Sequence, residues 1–233
     1  MNPRGEPLLW VQLLGLAALP AELLLAFLLL AGADPGRLPG LERLLCWALG
    51  GLLPAVFFWR RPPDVWSLLL VQIPGRGRRE LQRRLNVLQS PLAVKLAGGA
   101  GALLLLPIVW LMDDYAGLAT ALSPLGGSSR LAGLLITVPL LALCLWQWEQ
   151  LWQSIWLLSR PEAFVVAAAE RGFGADGPGS ERLSLGLPLL LPDPLVLPQA
   201  PADRHGAGDD PSMIPPEQQT EEQQGTALDE QIP

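Results

Sequence analysis

The chain has 233 residues, half of them apolar, and a formal net charge of −6. Its single histidine, His205, excludes a histidine-based metal or catalytic cluster, and its two cysteines, Cys46 and Cys144, are too few for a disulfide framework. The charge is divided unevenly: residues 1–171 hold 14 basic and 11 acidic side chains, whereas residues 172–233 hold 2 basic and 11 acidic ones.

Four apolar segments predict four membrane-spanning helices, because about 20 apolar residues at a rise of 1.5 Å cross a hydrocarbon layer of ~30 Å. The predicted spans cover about residues 8–30, 41–59, 92–112 and 131–148. Each contains one interior proline, which a spanning helix tolerates as a kink. These are Pro20, Pro54, Pro107 and Pro139. A cleaved signal peptide is the alternative for the first segment, but its apolar run is about twice the usual ~7–15 residues.

The first span carries a carboxyl group, Glu22. Intramembrane carboxyl groups usually face the bundle interior and often mark ion or proton routes. A hydrogen bond to the carbonyl freed by Pro20, or to Thr137 of the fourth span, is the structural interpretation. A transport route needs more polar groups at depth, and the spans offer only Gln12 and Thr137 beside Glu22. We therefore predict that Glu22 makes a specificity contact within an assembly, and a small transporter or channel is the alternative.

The segment between the second and third spans predicts the orientation. Its arginines and one lysine are half of the basic residues of the chain, and such loops stay in the cytoplasm, so both termini are predicted to be cytoplasmic. Residues 78–89 form a basic amphipathic pattern, which indicates a helix that lies on an anionic membrane surface or packs on the spans. The candidate membrane-surface residues are Arg76, Arg78, Arg79, Arg83 and Arg84. Binding of nucleic acid is not expected.

The fourth span continues as an aromatic helix, with Trp148, Trp152 and Trp156 on one face. The opposite arc is hydrophilic, as is typical of a helix that emerges through the lipid headgroups, and it contains Glu149, Gln150, Gln153 and Ser154. The tryptophans are candidate interface residues for packing, for the headgroup region, or for a ligand or partner. A short juxtamembrane helix is predicted over residues 160–171.

Small residues predict close packing of the spans and allow self-association. The clearest pair is Gly98 and Ala102 in the third span, with Gly50, Gly51 and Gly133 as complementary positions.

Residues 172–233 form an acidic, proline-rich, low-complexity tail that is predicted to be disordered. Within it, residues 183–198 are rich in leucine, but their prolines exclude a fifth spanning helix. This stretch is either a docking segment for a partner or a linker whose leucines contact the spans or the membrane.

No enzyme motif occurs: H-E-x-x-H, G-x-S-x-G, Walker A and paired C-x-x-C are all absent from the sequence. We therefore predict no catalytic residue, cofactor or bound metal, and a protein that is not an enzyme. Asp113 and Asp114 form an acidic pair that either binds a cation or marks a solvated helix end.

Three segments resemble the cyanobacterial low-complexity tail membrane proteins. They are "EPLLW" at residues 6–10, "RRPPDVWSLLLV" after the second span, and the Trp/Gln/Leu segment before the proline-rich tail. The resemblance covers about residues 5–170. It implies a thylakoid or plasma membrane as the location, and no assigned activity.

Together these features predict an all-α integral membrane protein, a four-helix transmembrane bundle with a disordered cytoplasmic tail. The predicted units are a membrane domain at residues 1–159 with a basic loop at 60–91, the juxtamembrane helix at 160–171, and the tail at 172–233. The predicted function is a non-enzymatic scaffold or assembly factor. Its partners are the lipid bilayer and other subunits of a membrane complex.

Overall fold

The computed structural model describes residues 2–32, 36–74, 77–170 and 182–188. Within these residues, four helical segments are long and apolar enough to cross a membrane. They run over Pro7–Ala31, Pro39–Arg60, Leu92–Leu122 and Arg130–Leu158. The predicted all-α membrane fold with four spans is thus confirmed. The predicted disorder of the tail concerns residues that, apart from 182–188, lie outside the described part of the chain.

The first two spans are interrupted helices. The first consists of α1 (Pro7–Gln12) and α2 (Gly15–Ala31), joined by a tight turn. The second consists of α3 (Pro39–Trp47), a π-helical turn (Ala48–Leu52) and α4 (Leu53–Arg60). The π turn comes directly before Pro54, which has no amide hydrogen and whose ring displaces the carbonyl one turn earlier. The proline of the second span is therefore accommodated by a wider turn.

The other two spans are continuous helices that contain their prolines, and shorter elements lie around them. The strand β1 (Val71–Gln72) and the helix α5 (Glu80–Val87) precede α6 (Leu92–Tyr115), which ends in a 3-10 turn (Ala116–Leu122). The helix α7 (Arg130–Leu158) includes the fourth span and the aromatic helix that the sequence predicts to follow it, and α8 (Glu162–Glu170) comes next. A short strand β2 (Leu187–Pro188) pairs in parallel with β1.

Glycines allow α7 to pack closely against its neighbours. A Cβ atom on Gly50 would lie 2.8 Å from the backbone oxygen of Val138, and one on Gly101 would lie 2.4 Å from the indole nitrogen of Trp148. Only glycine fits at such distances. At Gly50 the backbones of the second span and α7 approach directly, as expected for helices that associate in lipid, and at Gly101 the Trp148 indole packs against the backbone of α6. The buried core at this level includes Cys46, Phe58, Ala102, Leu105, Val109, Leu141, Leu145 and Trp146.

The outer surface of the spans is apolar. Large side chains on every span remain more than half exposed, for example Leu24, Leu53, Leu103 and Leu135. An apolar belt of this extent marks a surface that faces lipid. The end of the bundle that carries residues 60–91 is called the arginine-rich end below.

Candidate functional site

A buried loop lies at the arginine-rich end of the bundle. We call residues 62–74 the loop platform. Asp64, Val65, Trp66 and Ser67 are each at most 2% exposed, although none of them belongs to a helix or a long strand. A buried loop needs hydrogen-bond partners for its backbone, since an unpaired buried amide or carbonyl is costly.

Three glutamines supply these partners: Gln12 of α1, Gln150 of α7, and Gln89 in the bend between α5 and α6. Gln12 donates to the Val65 oxygen at 3.0 Å, and Gln150 donates to the Asp64 oxygen at 2.8 Å. The Gln89 side-chain oxygen accepts from the Val65 amide at 3.3 Å. The platform is thus held by polar side chains that are distant from it in the sequence.

One face of the loop platform is apolar. Trp66 is 1% exposed and packs with Leu9 of α1, Leu85 of α5 and Leu157 of α7. The three sequence segments that carry the family resemblance therefore meet at this place, because α1, the platform and the end of α7 bury their apolar side chains in one cluster.

The predicted basic surface divides into inward and outward residues. Arg78 does not face the membrane surface as predicted, because its guanidinium donates to the buried carboxylate of Asp64. Arg79 and Arg83 are exposed, and Arg84 pairs with Glu80 at 2.8 Å. Arg76 lies outside the described residues.

The predicted hydrophilic arc of α7 is buried rather than solvated. Glu149, Gln150, Gln153 and Ser154 are each at most 6% exposed, because the platform and α6 cover this face. Sequence periodicity finds such an arc but does not distinguish solvent from a polar interior.

The three tryptophans of α7 differ in their surroundings. Trp148 packs against Gly101, and its indole nitrogen donates to the Ala97 oxygen at 2.8 Å. Trp152 is 38% exposed and lies edge-to-face against Trp148. The Trp156 ring is covered by the Arg160 guanidinium at 3.7 Å, a cation–π contact. Trp152 is therefore the member of the stripe that is most open to a partner or to lipid.

Residues 182–188, which we call the tail-root strand, dock on the loop platform through the backbone. The Leu183 amide donates to the Pro62 oxygen at 3.1 Å, and the Leu187 amide donates to the Leu70 oxygen at 3.0 Å. The Ser67 hydroxyl accepts from the Leu185 amide at 2.7 Å and donates to the Leu185 oxygen at 2.5 Å. The start of the predicted leucine/proline stretch is therefore bound to its own membrane domain.

Arg182 anchors the beginning of this strand. Its guanidinium donates to the side chains of Gln89 and Ser90 at 3.0 Å and to the Asn86 oxygen at 3.1 Å. Burial lowers the pKa of this group, and nearby Asp64 partly opposes the effect. An arginine remains charged at neutral pH even so, which makes these charge-assisted hydrogen bonds.

Glu22 forms a hydrogen bond with Gln147, which is not a partner that the sequence predicts. Its carboxyl group accepts from the Gln147 side chain of α7 at 2.5 Å. Thr137, one of the two predicted partners, instead donates to the Gly133 oxygen of its own helix at 2.8 Å. The contact joins α2 to α7, and Gln147 is neither of the two predicted partners, which were Thr137 and the carbonyl freed by Pro20.

We expect a coupling free energy of about 1 kcal/mol between Glu22 and Gln147, which is the usual size for a polar contact between spanning helices. The measurement is a double-mutant cycle with Glu22→Leu, Gln147→Leu and the double variant, followed by unfolding in mixed micelles. Thr137→Val is the comparison, since its hydroxyl bonds within one helix. Additivity of the two single changes would contradict the contact.

The acidic pair at the other end of the bundle is part of an ion network. Asp113 is 7% exposed and accepts from Arg43 of α3 and from Arg130 of α7, each at 2.6 Å. Asp114 pairs with Arg43 at 2.8 Å, and Glu42 pairs with Arg130 at 3.0 Å. Asp113 is therefore neither a cation site nor a solvated helix end.

The two cysteines of the chain, Cys46 and Cys144, are both buried and free. Among the described residues, no group of three or more His, Cys, Asp and Glu side chains is placed to hold a metal ion.

Comparison with known proteins supplies a family. The model of the family described as "Low-complexity tail membrane protein-like" matches residues 5–194, which includes the bundle, the loop platform and the tail-root strand. No curated protein and no solved structure matches the chain. The matched region contains all three segments that meet at the arginine-rich end. The chain belongs to the low-complexity tail membrane protein-like family.

Proposed function

We propose that the protein is a non-enzymatic scaffold or assembly factor of a membrane complex, which presents its tail from the arginine-rich end. The observation that carries this proposal is the docking of residues 182–188 on the loop platform by backbone hydrogen bonds. This docking fixes the point beside the membrane from which the acidic tail, residues 189–233, begins.

The proposal includes the orientation and location that the sequence predicts. Both termini lie on the cytoplasmic side, and the membrane is the thylakoid or plasma membrane of a cyanobacterial host. Arg79 and Arg83 support this orientation because they are exposed at the same end and favour a cytoplasmic loop. Protease added to sealed vesicles of known sidedness tests this orientation. Cleavage at the arginine-rich end by protease on the non-cytoplasmic side of the membrane would contradict it.

The function is tested by affinity purification after mild solubilisation. The full chain should retain one or more membrane partners, and a chain that ends at residue 188 should lose those that bind the acidic tail. Because this truncation keeps the tail-root strand, the platform stays covered in both proteins. Recovery of no partner with either protein would contradict the scaffold function.

Docking of the tail-root strand leads to a separate prediction. We expect Ser67→Ala to increase tryptic cleavage after Arg182 about thirtyfold, because it removes two hydrogen bonds of about 1 kcal/mol each. Cleavage of a transiently open segment follows the population of the open form. Cleavage after Arg204 in the same digest provides the reference rate.

The matched control is Ser128→Ala. The Ser128 hydroxyl is buried but has no hydrogen-bond partner among the described residues. It lies near the opposite end of the bundle, so cleavage after Arg182 should not change. An equal increase in both variants would mean that general destabilisation, and not release of the strand, exposes Arg182.

The alternative function is a small transporter or channel that uses Glu22. One observation favours it: the second carboxyl oxygen of Glu22 is buried and, in the described part of the chain, accepts no hydrogen bond from an N–H or O–H group, with only the Cys144 thiol beside the carboxyl group. This alternative predicts proton or ion flux in reconstituted vesicles that Glu22→Gln abolishes. Equal absence of flux in both proteins removes it.

A further inference from the structure

A cavity of about 200 Å³ opens at the arginine-rich end, beside the first span. Its walls come from α1, the start of α2, the loop platform and α7. Three side-chain amides, Gln12, Gln147 and Gln150, line the cavity together with the indole of Trp146, and the apolar lining includes Val11, Leu14 and Leu69. The space is well above the ~10–15 Å³ that one water molecule needs.

The three amide nitrogens are already engaged inside the protein. Those of Gln12 and Gln150 donate to backbone oxygens of the loop platform, and that of Gln147 donates to the Glu22 carboxyl group. A backbone oxygen can only accept, so the amide orientations of Gln12 and Gln150 are fixed by chemistry. Each glutamine therefore turns its oxygen away from these contacts.

One of the three amide oxygens is buried without a hydrogen-bond partner among the described residues. Gln150 is 2% exposed, and its oxygen is buried and unpaired. The Gln147 oxygen lies 3.8 Å from the place of a Cβ atom on Gly15, another residue of the cavity wall. A buried acceptor without a donor is costly, so the cavity requires a hydrogen-bond donor.

The lining also decides the charge of that donor group. No charged side chain lines the cavity, so a phosphate or carboxylate would meet acceptor oxygens and no cation. Hydroxyl groups match the lining because they donate to amide oxygens and carry no charge. An ammonium headgroup could also donate, but in a phospholipid it brings a phosphate with it.

We propose that this cavity binds the headgroup of an uncharged lipid that carries several hydroxyl groups, such as a sugar attached to diacylglycerol. The apolar rim supports a lipid over a free polyol: Val11 is 40% exposed, Leu69 45% and Leu14 68%, and Leu14 belongs to a spanning segment that faces lipid. The headgroup occupies the amide-lined space, and the acyl chains lie along this rim. The site does not depend on the proposed scaffold function.

The experiment is native mass spectrometry of the full-length protein in detergent with added lipid. The probes are monohexosyl diacylglycerol, phosphatidylglycerol, phosphatidylethanolamine and free glucose. We expect the Kd for the hexosyl lipid to be about tenfold below that for phosphatidylglycerol, which corresponds to one or two satisfied hydrogen bonds. Free glucose should not bind at comparable concentration.

Two adjacent alanines provide matched variants. Ala18 lines the cavity, so Ala18→Leu should weaken binding of the hexosyl lipid about tenfold. Ala17 is exposed on the same helix and does not line the cavity, so Ala17→Leu should leave binding unchanged. If Ala18→Leu does not fold, Gly15→Ala is the second variant, because Gly15 also lines the cavity. Its added methyl group makes only ordinary contact with the Gln147 oxygen, so this variant should fold.

Three outcomes would overturn the proposal. Equal affinity for all lipids would mean nonspecific lipid around the bundle and a cavity that holds only water. A preference for phosphatidylethanolamine would mean that an ammonium group is the donor. Binding of free glucose as tight as that of the hexosyl lipid would mean that the ligand is a soluble polyol.

Discussion

Replacing Asp113 with alanine lowers the free energy of unfolding by about 3 kcal/mol, at the lower end of what removal of one partner of a buried ion pair costs. The carboxylate is shared by Arg43 and Arg130, whose side chains are only 15% and 12% exposed. The change therefore leaves two largely buried guanidinium groups without their common partner. Unfolding in mixed micelles, followed by circular dichroism, measures the effect.

The neighbouring Asp114 is the control. Its side chain is 51% exposed and pairs with Arg43 alone, so Asp114→Ala should cost less than about 1 kcal/mol. Both changes remove one carboxylate at adjacent positions, so net charge cannot explain a difference between them. Equal losses would show that Asp113 does not link α3, α6 and α7.

The second large effect is expected at Gly50. We predict that Gly50→Ala lowers the free energy of unfolding by about 2 kcal/mol, because overpacking of a well-packed contact typically costs 1–3 kcal/mol. The new methyl group would lie 2.8 Å from the Val138 backbone oxygen and 2.9 Å from the Leu141 Cβ atom. Neither is the end of a flexible side chain, so α7 must move away.

Gly99 provides the matched control on α6. A Cβ atom there meets nothing within 4 Å among the described residues, so Gly99→Ala should be neutral or stabilising by up to about 1 kcal/mol through helix propensity. The same unfolding assay compares the two variants. A stable Gly50→Ala protein would contradict the close approach of the second span to α7.

Several site features were accessible from the sequence only in part. Glu22 is conspicuous in the sequence because a carboxyl group in a leucine-rich run is rare, but the sequence does not indicate its partner Gln147, since it does not give the rotation of α7 about its axis. Arg78 belongs to a basic run that predicts binding to a membrane surface, but its guanidinium pairs with the buried carboxylate of Asp64. The local sequence pattern indicates that these residues are important but does not show which residues they contact.

The glutamines show the same limit. Gln12, Gln89 and Gln150 lie far apart in the sequence, and their common role in binding the loop platform is visible only once this loop is buried between them. The signal that could have found them is the polar residue in an otherwise apolar segment, which must hydrogen-bond inside the protein. That signal does not name the partner.

The sequence by itself determined the four spans and the composition of the tail. Insertion depends on the summed transfer free energy of one continuous apolar segment, which is a local property. Only the tertiary structure decided which residues meet: Glu22 with Gln147, the loop platform with three glutamines, and the tail-root strand with the platform. These pairings depend on the depth and rotation of each helix, which are set by close packing at glycines such as Gly50 and Gly101.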